Sequence, residues 1–328
     1  MVELTPPFSQ SNIRALKVGD EVLKLNGFKP SRHDLWKMIY YYQVISPQTK
    51  ITLDVKSPNG DIRQLEILSK ITPLKAVVNL TDSIDLNEAV REGDKLKQSY
   101  RHYFKDFGNV LIWKMPDFAF DPGEVDGMIG RAKGKQALIL DLRGNPGGYV
   151  VTLEKLAGYF FEKDTKIADV KGRKPMDPQI AKSQGEKLFK GDVIVLTDAN
   201  SASAAEIFAR LMQIEKRGRI IGDVSAGAVM QSKGVSFDAG SSNVISYGMN
   251  LTRADVIMSD GKSLEHLGVT PDEIIIPTGK DLAEQSDPVL ARALELSGLR
   301  ITPSDAGKIF PPEKFIERTT NVAIKLEW

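Results

Sequence analysis

Two Gly- and Ser-rich segments could do chemistry. Asp141-Leu142-Arg143-Gly144-Asn145-Pro146-Gly147-Gly148 ends a nearly all-apolar run. Its glycines and proline set a tight turn that exposes backbone N–H groups just before a helix, a geometry suited to an anion or an oxyanion. It also reads as an ordinary strand-to-helix turn, and its spacing matches neither phosphate-loop glycine motif. Ala199-Asn200-Ser201-Ala202-Ser203-Ala204-Ala205-Glu206 lies between another apolar run and a helical pattern. A Ser at a helix start holds its oxygen in the positive end of the dipole, where developing negative charge is favoured. Such a Ser is equally a plain N-cap, and Ser201 could be the cap while Ser203 does the chemistry. Two further turns, Gly222 to Ala228 and Ser263 to Asp272, read as loops, the second containing Glu265-His266.

The elements that must position these turns are strands alternating with helices. Val110 to Met115, Gln136 to Leu142, Asp192 to Thr197 and Arg219 to Gly222 read as strands. The apolar character of the second and third fits a sheet buried on both faces. Leu153, Leu156, Ala157 and Phe160 mark one helix face, and Ala204, Ile207, Phe208, Leu211 and Met212 another. Asp287-Pro288 starts a late helix, with Asp as N-cap and Pro at its first position. This alternation predicts a layered α/β core.

The first seventy residues read differently, as a small β-rich module. Glu21 to Leu25 is a strand closing at Asn26-Gly27, and Ser31 caps a helix with Leu35, Met38, Ile39 and Tyr42 on its apolar face. A hairpin follows, Ile51 to Val55 and Ile62 to Ile67, with Asn59-Gly60 expected at its tip as a type I′ turn. From Asp82 to Arg101 the chain is polar and charged, which suits a connector. The expected division is therefore 1–72, a connector 73–101, and a core 102–328.

Composition narrows the function classes. The 328 residues suffice for two domains, and 44 Lys+Arg against 43 Asp+Glu leave no charge excess to attract a nucleic-acid backbone or an acidic membrane face. With no Cys, disulfides, thiolate metal sites and a Cys nucleophile are excluded, and three His make a His-rich metal site improbable. Apolar runs reach only four or five residues, too short to span a bilayer. The first residues carry neither a basic nor an apolar signal-peptide region.

Taken together and in order, the segments resemble the S41 family of serine peptidases, the C-terminal-processing (tail-specific) proteases and their tricorn-core relatives. Leu16 to Gly27 looks like the central part of the family's PDZ domain. Leu138 to Gly148 resembles its Asn-Pro-Gly-Gly turn, Ser201 to Ala209 its nucleophile helix, and Leu267 to Asp272 its Gly-Val-Thr-Pro-Asp turn. The resemblance implies a layered α/β core of the ClpP/crotonase type behind a PDZ-like domain, a protein or peptide substrate, and no metal or organic cofactor. It places the nucleophile at Ser203 and the oxyanion hole at the Ala204 N–H with that of Gly147 or Gly148.

A Ser nucleophile needs a base. Ala228 stands where the family's best-known branch carries a Lys, and Lys216 and Lys233 fall out of register. The Ser-His-Glu branch has its Glu just before the Gly-Val turn, where Glu265 lies. Its His lies upstream of the PDZ domain, so the resemblance implies an N-terminally shortened form whose missing part held that base; members of the family are usually exported, to the periplasm or outside the cell. Of the three His, His33 reads as a surface residue. His266, next to Glu265 in an extended segment, is expected to point to the opposite face. His102, in Tyr100-Arg101-His102-Tyr103-Phe104, is the candidate substitute base. The alternative is a non-catalytic peptide-binding protein that captures strands through the PDZ-like module; a third reading, an acyl-CoA enzyme, has the fold alone behind it.

Overall fold

The computed structural model describes residues 2–3, 16–68, 70–71, 77–79, 101–240 and 243–310. Of the expected connector 73–101, residues 73–76 and 80–100 lie outside the described residues.

Near the start, β1 (Glu21–Leu25), β2 (Lys50–Lys56) and β3 (Ile62–Leu68) form an antiparallel sheet in the order β1-β2-β3. Its inward residues Ile51, Leu53, Val55 and Leu65 make a small core of their own, against which Leu25 and Ile67 pack. Both Asn26 and Gly27 have positive φ, 46° and 82°, and Leu25 and Phe28 exchange backbone hydrogen bonds across them. The type I′ turn is therefore here. At the other Asn-Gly pair only Gly60 is left-handed, at 96°, and Ser57 bonds to Asp61 around the tip, so the expected type I′ turn at Asn59-Gly60 is not formed. Helix α1 (Leu35–Tyr40) has Asp34 rather than Ser31 at its N-cap; the Ser31 hydroxyl donates to the Asp34 carboxylate one turn earlier. None of its side chains is buried, and Leu35 and Ile39 are largely exposed.

From residue 103 the pattern becomes β4 (Tyr103–Phe107), β5 (Val110–Lys114), α2 (Val125–Gly130), β6 (Ala137–Asp141), α3 (Val150–Ala157), β7 (Thr165–Gly172), β8 (Gln179–Ala181), β9 (Asp192–Thr197), α4 (Ala204–Ile214), β10 (Arg219–Gly222), β11 (Gln231–Ala239), β12 (Asn243–Met258), β13 (Glu273–Ile274), α5 (Gly279–Ala283), α6 (Pro288–Leu296) and α7 (Pro303–Ala306). A six-stranded sheet runs β13-β10-β9-β6-β5-β4, parallel throughout except for the antiparallel edge strand β4. Because side chains alternate along a strand, each central strand feeds two cores. Leu111, Trp113, Leu138, Leu140, Val193 and Val195 pack with α3 and α4 on one face. Val110, Ile112, Ile139, Ile194 and Leu196 pack with α6 on the other. A sheet buried on both faces has no polar side to present, which is why these strands read as continuous apolar runs. The second sheet runs β8-β7-β12-β11, with Val77–Asn79 paired to the start of β12. Among the described residues no helix is long and apolar enough to cross a membrane.

In a parallel sheet the loops after the strands' carboxyl ends gather on one edge, where ligands bind. Here the 141–148 turn follows β6, the 198–203 turn follows β9 and the 223–230 loop follows β10. All three suspect segments therefore meet at one place, beside the 263–272 turn that precedes β13.

Candidate active site

Buried polar groups lock the first turn. Asp141 and Asn145 are fully buried. Arg143 forks across two carboxylates, with Nε and Nη2 on Asp141 (2.8 and 2.7 Å) and Nη1 and Nη2 on Asp287 (2.9 and 2.8 Å). Burial alone would lift the Asp141 pKa, but the Arg143 charge and hydrogen bonds hold it below the ordinary value. Asp287 in turn caps α6 through Leu290 N–H, so the turn after β6 is tied to the helix on the opposite face. Asn145 donates from Nδ2 to the Met115 carbonyl (3.0 Å) and accepts the Gly147 N–H at Oδ1 (2.8 Å). Its carbonyl accepts from Ala202 N–H, which joins the first turn to the second.

That junction is tight. Gly147 has φ 93°, and a Cβ built there would lie 2.6 Å from Ser203 Cβ and 2.9 Å from Ala204 N. Only glycine permits this approach. The Gly147 N–H is spent on Asn145, which removes it from the pair of amides named for an oxyanion hole. Gly148 is different. Phe118 N–H donates to the Gly147 carbonyl and Tyr149 N–H to the Phe118 carbonyl, so the Gly148 N–H points away from Phe118. It donates to no acceptor among the described residues. The Ala204 N–H, at the first position of α4, is one of the donors a helix leaves without an intrahelical partner.

Ser203 is the N-cap of α4, with φ 54° and ψ −118°, and is partly exposed. A non-glycine residue in that region costs about 1–3 kcal/mol and persists only where its surroundings over-determine it. What holds it is Glu206, which is fully buried. Its Oε2 accepts Ser203 N–H and Ala228 N–H, both at 2.9 Å. Its Oε1 accepts Ser225 O–H at 2.6 Å and Gly227 N–H at 2.7 Å. Those four donors and the α4 N-terminus satisfy the carboxylate. Ser201 is fully buried, its hydroxyl donating to the Leu142 carbonyl and accepting from Asp198 N–H, which leaves Ser203 as the seryl side chain at the surface. The sequence reading did not single out Glu206 or Asn145. The Ser203-x-x-Glu206 spacing is a capping signature and was available as a signal.

Glu265 lies across the same loop. Its Oε2 accepts the N–H groups of Val229 (2.7 Å) and Met230 (3.2 Å). The segment around it is a turn, not an extended strand: His266 has φ 62° and donates its N–H to the Gly227 carbonyl. The expectation that the two side chains face apart therefore fails, and His266 Nε2 sits 4.0 Å from Glu265 Oε1, with the imidazole 87% exposed. Ala228 is exposed and shares the Glu206 oxygen that holds Ser203. His33 is exposed on the small module.

His102 is held elsewhere. Its Nδ1 accepts the Trp113 indole N–H at 3.1 Å, and its ring lies edge-on to Phe120 at 4.8 Å. Burial in this aromatic cluster lowers its pKa to about 4. An imidazole that weakly basic, with one nitrogen already engaged, is not a competent base near neutral pH. The candidate role of His102 is corrected accordingly: it is a half-buried residue packed against Trp113 and Phe120 immediately before β4. Among the described residues no cluster of His, Asp or Glu could hold a metal ion.

Comparison with known proteins adds the relationships. A family model described as peptidase family S41 matches residues 109–275. The carboxy-terminal processing protease CtpA of Bacillus subtilis is 30% identical over 139 residues, covering 42% of this chain and 28% of that protein. A probable CtpA-like serine protease of Staphylococcus haemolyticus is 29% identical over 245 residues, covering 69% and 47%. The crystal structure of mature CPAF superposes with a TM-score of 0.60 at 15% identity, covering 84% of this chain and 75% of that one, a likeness of fold. The chain spans about half the length, or less, of the curated relatives it matches.

Proposed function

The chain belongs to peptidase family S41, and from that premise we propose that it is a serine endopeptidase acting on protein or peptide substrates through an acyl-enzyme on Ser203. Ser203 Oγ attacks the scissile carbonyl carbon and its proton passes to a base. The carbonyl oxygen becomes an oxyanion between the N–H groups of Ala204 and Gly148. Collapse expels the amine, which takes the proton from the base, and water then hydrolyses the ester by the same route in reverse. Each oxyanion donor is worth roughly 3 kcal/mol in the transition state. Glu265 is the carboxylate that orients an imidazole, as the third member of such triads does.

The observation that carries this reading is Ser203 itself: a strained, partly exposed N-cap serine packed against Gly147, next to the Ala204 N–H, which like that of Gly148 donates to no acceptor among the described residues. Ser203→Ala is expected to abolish labelling by a fluorophosphonate probe, and labelling that survives the substitution refutes the assignment. The same reading takes residues 1–72 as a PDZ-like domain, 73–101 as a connector and 102–328 as the catalytic core. The three-stranded sheet with its separate core supports the first part.

Ala228 in the place of a Lys, with His102 engaged by Trp113, favours a second reading: a peptide-binding protein whose core is inert. Casein hydrolysis by this chain, compared with a version extended upstream, separates the two. Activity restored by the extension fits an enzyme whose base lies upstream; none in either fits a binder.

A further inference from the structure

We propose that Asp287 is a positioning residue for the acyl-transfer chemistry, holding the oxyanion turn in place from the far face of the sheet through Arg143. This rests on the reading of Ser203 as the nucleophile and of Gly148 as an oxyanion donor. Asp287 opens α6, whose Val289, Leu290 and Leu294 pack with Val110, Ile112 and Ile139. Ser203 opens α4, which packs on the other face of that sheet. Arg143, in the 141–148 turn, reaches from the site to Asp287.

Capping a helix asks for one acceptor, and Ser or Asn serves as well as Asp. Asp287 does more. Its Oδ1 accepts the Leu290 N–H at 2.9 Å, and its two oxygens also take Nη1 and Nη2 of Arg143 at 2.9 and 2.8 Å. Two parallel bonds of this kind fix the plane of a guanidinium. Both side chains are only 19% exposed, which shelters the pair from the screening that makes surface ion pairs weak. The carboxylate is itself anchored, because the Asp287 N–H donates to the Pro303 carbonyl at the start of α7. Asp141, fully buried at the end of β6, takes the other edge of the guanidinium. Arg143 is thus gripped between a central strand and the helix layer behind it.

The turn that follows depends on such a grip. Gly144, Gly147 and Gly148 have φ of 73°, 93° and 148°. Glycine enters those angles at no steric cost and leaves them as easily, so side-chain ties set the path of the turn. Asp198 and Asn145 tie its middle, and the bridge to Phe118 ties its end. Arg143 ties its entrance. An oxyanion donor acts only within a narrow range of distance, and a misplacement of about 1 Å can cost about a hundredfold in rate. Loss of the Asp287 carboxylate is therefore expected to act on acylation itself, with α6 still capped.

The test compares Asp287→Ser and Asp287→Asn, which keep a cap on α6 and lose the carboxylate, with Asp106→Asn. The last makes the same chemical change at a remote ion pair, to Lys135 at the opposite end of β6. At saturating fluorophosphonate, the rate constant for labelling Ser203 is expected to fall about tenfold in both Asp287 variants, with the half-saturating concentration unchanged. It should keep its wild-type value in Asp106→Asn. In full-length protein carrying 15N-glycine, the Gly147 and Gly148 amide resonances are expected to move in the Asp287 variants and to stay in place in Asp106→Asn. Unmoved resonances, a wild-type rate constant in the Asp287 variants, or an equal fall in Asp106→Asn each overturn the proposal, as does failure of both Asp287 variants to fold. The nucleophile is read separately. Labelling that survives Ser203→Ala, or an unaltered chain that takes no label, refutes the reading of Ser203, and the glycine resonances alone then decide whether Asp287 holds the turn.

Discussion

Glu206→Gln isolates the element on which the site geometry depends. The side chain keeps its volume but turns one acceptor oxygen into an NH₂ donor. Placed at Oε2, the NH₂ would face the N–H groups of Ser203 and Ala228, neither of which can reverse. Placed at Oε1, it would face Gly227 N–H and the Ser225 hydroxyl, and a hydroxyl can rotate to accept. The second arrangement is cheaper. It orphans the Gly227 N–H, at about 1–3 kcal/mol, and it exchanges charge-assisted bonds for neutral ones, so a total near 3 kcal/mol is expected. For a body of this size that corresponds to a fall of roughly 6–12 °C in melting temperature. Because Oε2 is retained, Ser203 stays anchored, and its fluorophosphonate labelling should slow only about tenfold. Glu206→Ala removes all four bonds, frees Ser203 from its strained conformation, and should slow labelling at least a hundredfold. Thermal melts and labelling time courses on both variants read the two effects. A folded Glu206→Ala protein labelled at the wild-type rate would show that the carboxylate does not position Ser203.

Gly147→Ala drives a methyl group into Ser203 Cβ and Ala204 N and should cost about 2–3 kcal/mol and most of the labelling. Gly134→Ala is the control, with φ 78° and nothing within 4 Å, and equal effects of the two on labelling would refute the steric argument. Ala228→Lys places an ammonium at an exposed position tied through Glu206 to Ser203, and should raise the labelling rate at least tenfold above pH 8; an unchanged rate would show that position 228 does not face the hydroxyl. His102 gives a pH signature. Its pKa falls from 6.5 to about 4 on folding, so the unfolded chain binds the extra proton between those values. Stability is full above pH 6.5 and falls as pH drops toward 4, by about 2 kcal/mol once its partial exposure is allowed for. His102→Gln keeps an acceptor for Trp113 N–H and should flatten that part of the urea-midpoint profile; parallel profiles would refute the assignment.

What was legible in the sequence follows from how local each feature is. The buried strands could be read because a sheet covered on both faces has no polar alternation to confuse with anything else: Gln136 to Leu142 and Asp192 to Thr197 announce themselves. The start of α6 could be read because Asp287 and Pro288 act within one turn. Two Asn-Gly pairs looked alike, yet only Asn26-Gly27 became a type I′ turn. The tip at Asn59-Gly60 spans Ser57 to Asp61, and that extra length lets Asn59 avoid positive φ. Turn type there is set by strand register, which no dipeptide encodes. The same limit explains the site. The Gly147 and Gly148 amides are equivalent in sequence, but Asn145 captures one and the bridge to Phe118 turns the other outward. Glu265 and His266 were expected to diverge because neighbours in a strand do, and a left-handed His266 undoes that rule. Glu206 sits one helical turn beyond Ser203, where a capping role is visible. That it also fastens Ser225, Gly227 and Ala228 depends on contacts some twenty residues away. The candidate residues announce themselves by type, whereas the groups that hold Ser203 in its strained conformation do so only through long-range packing.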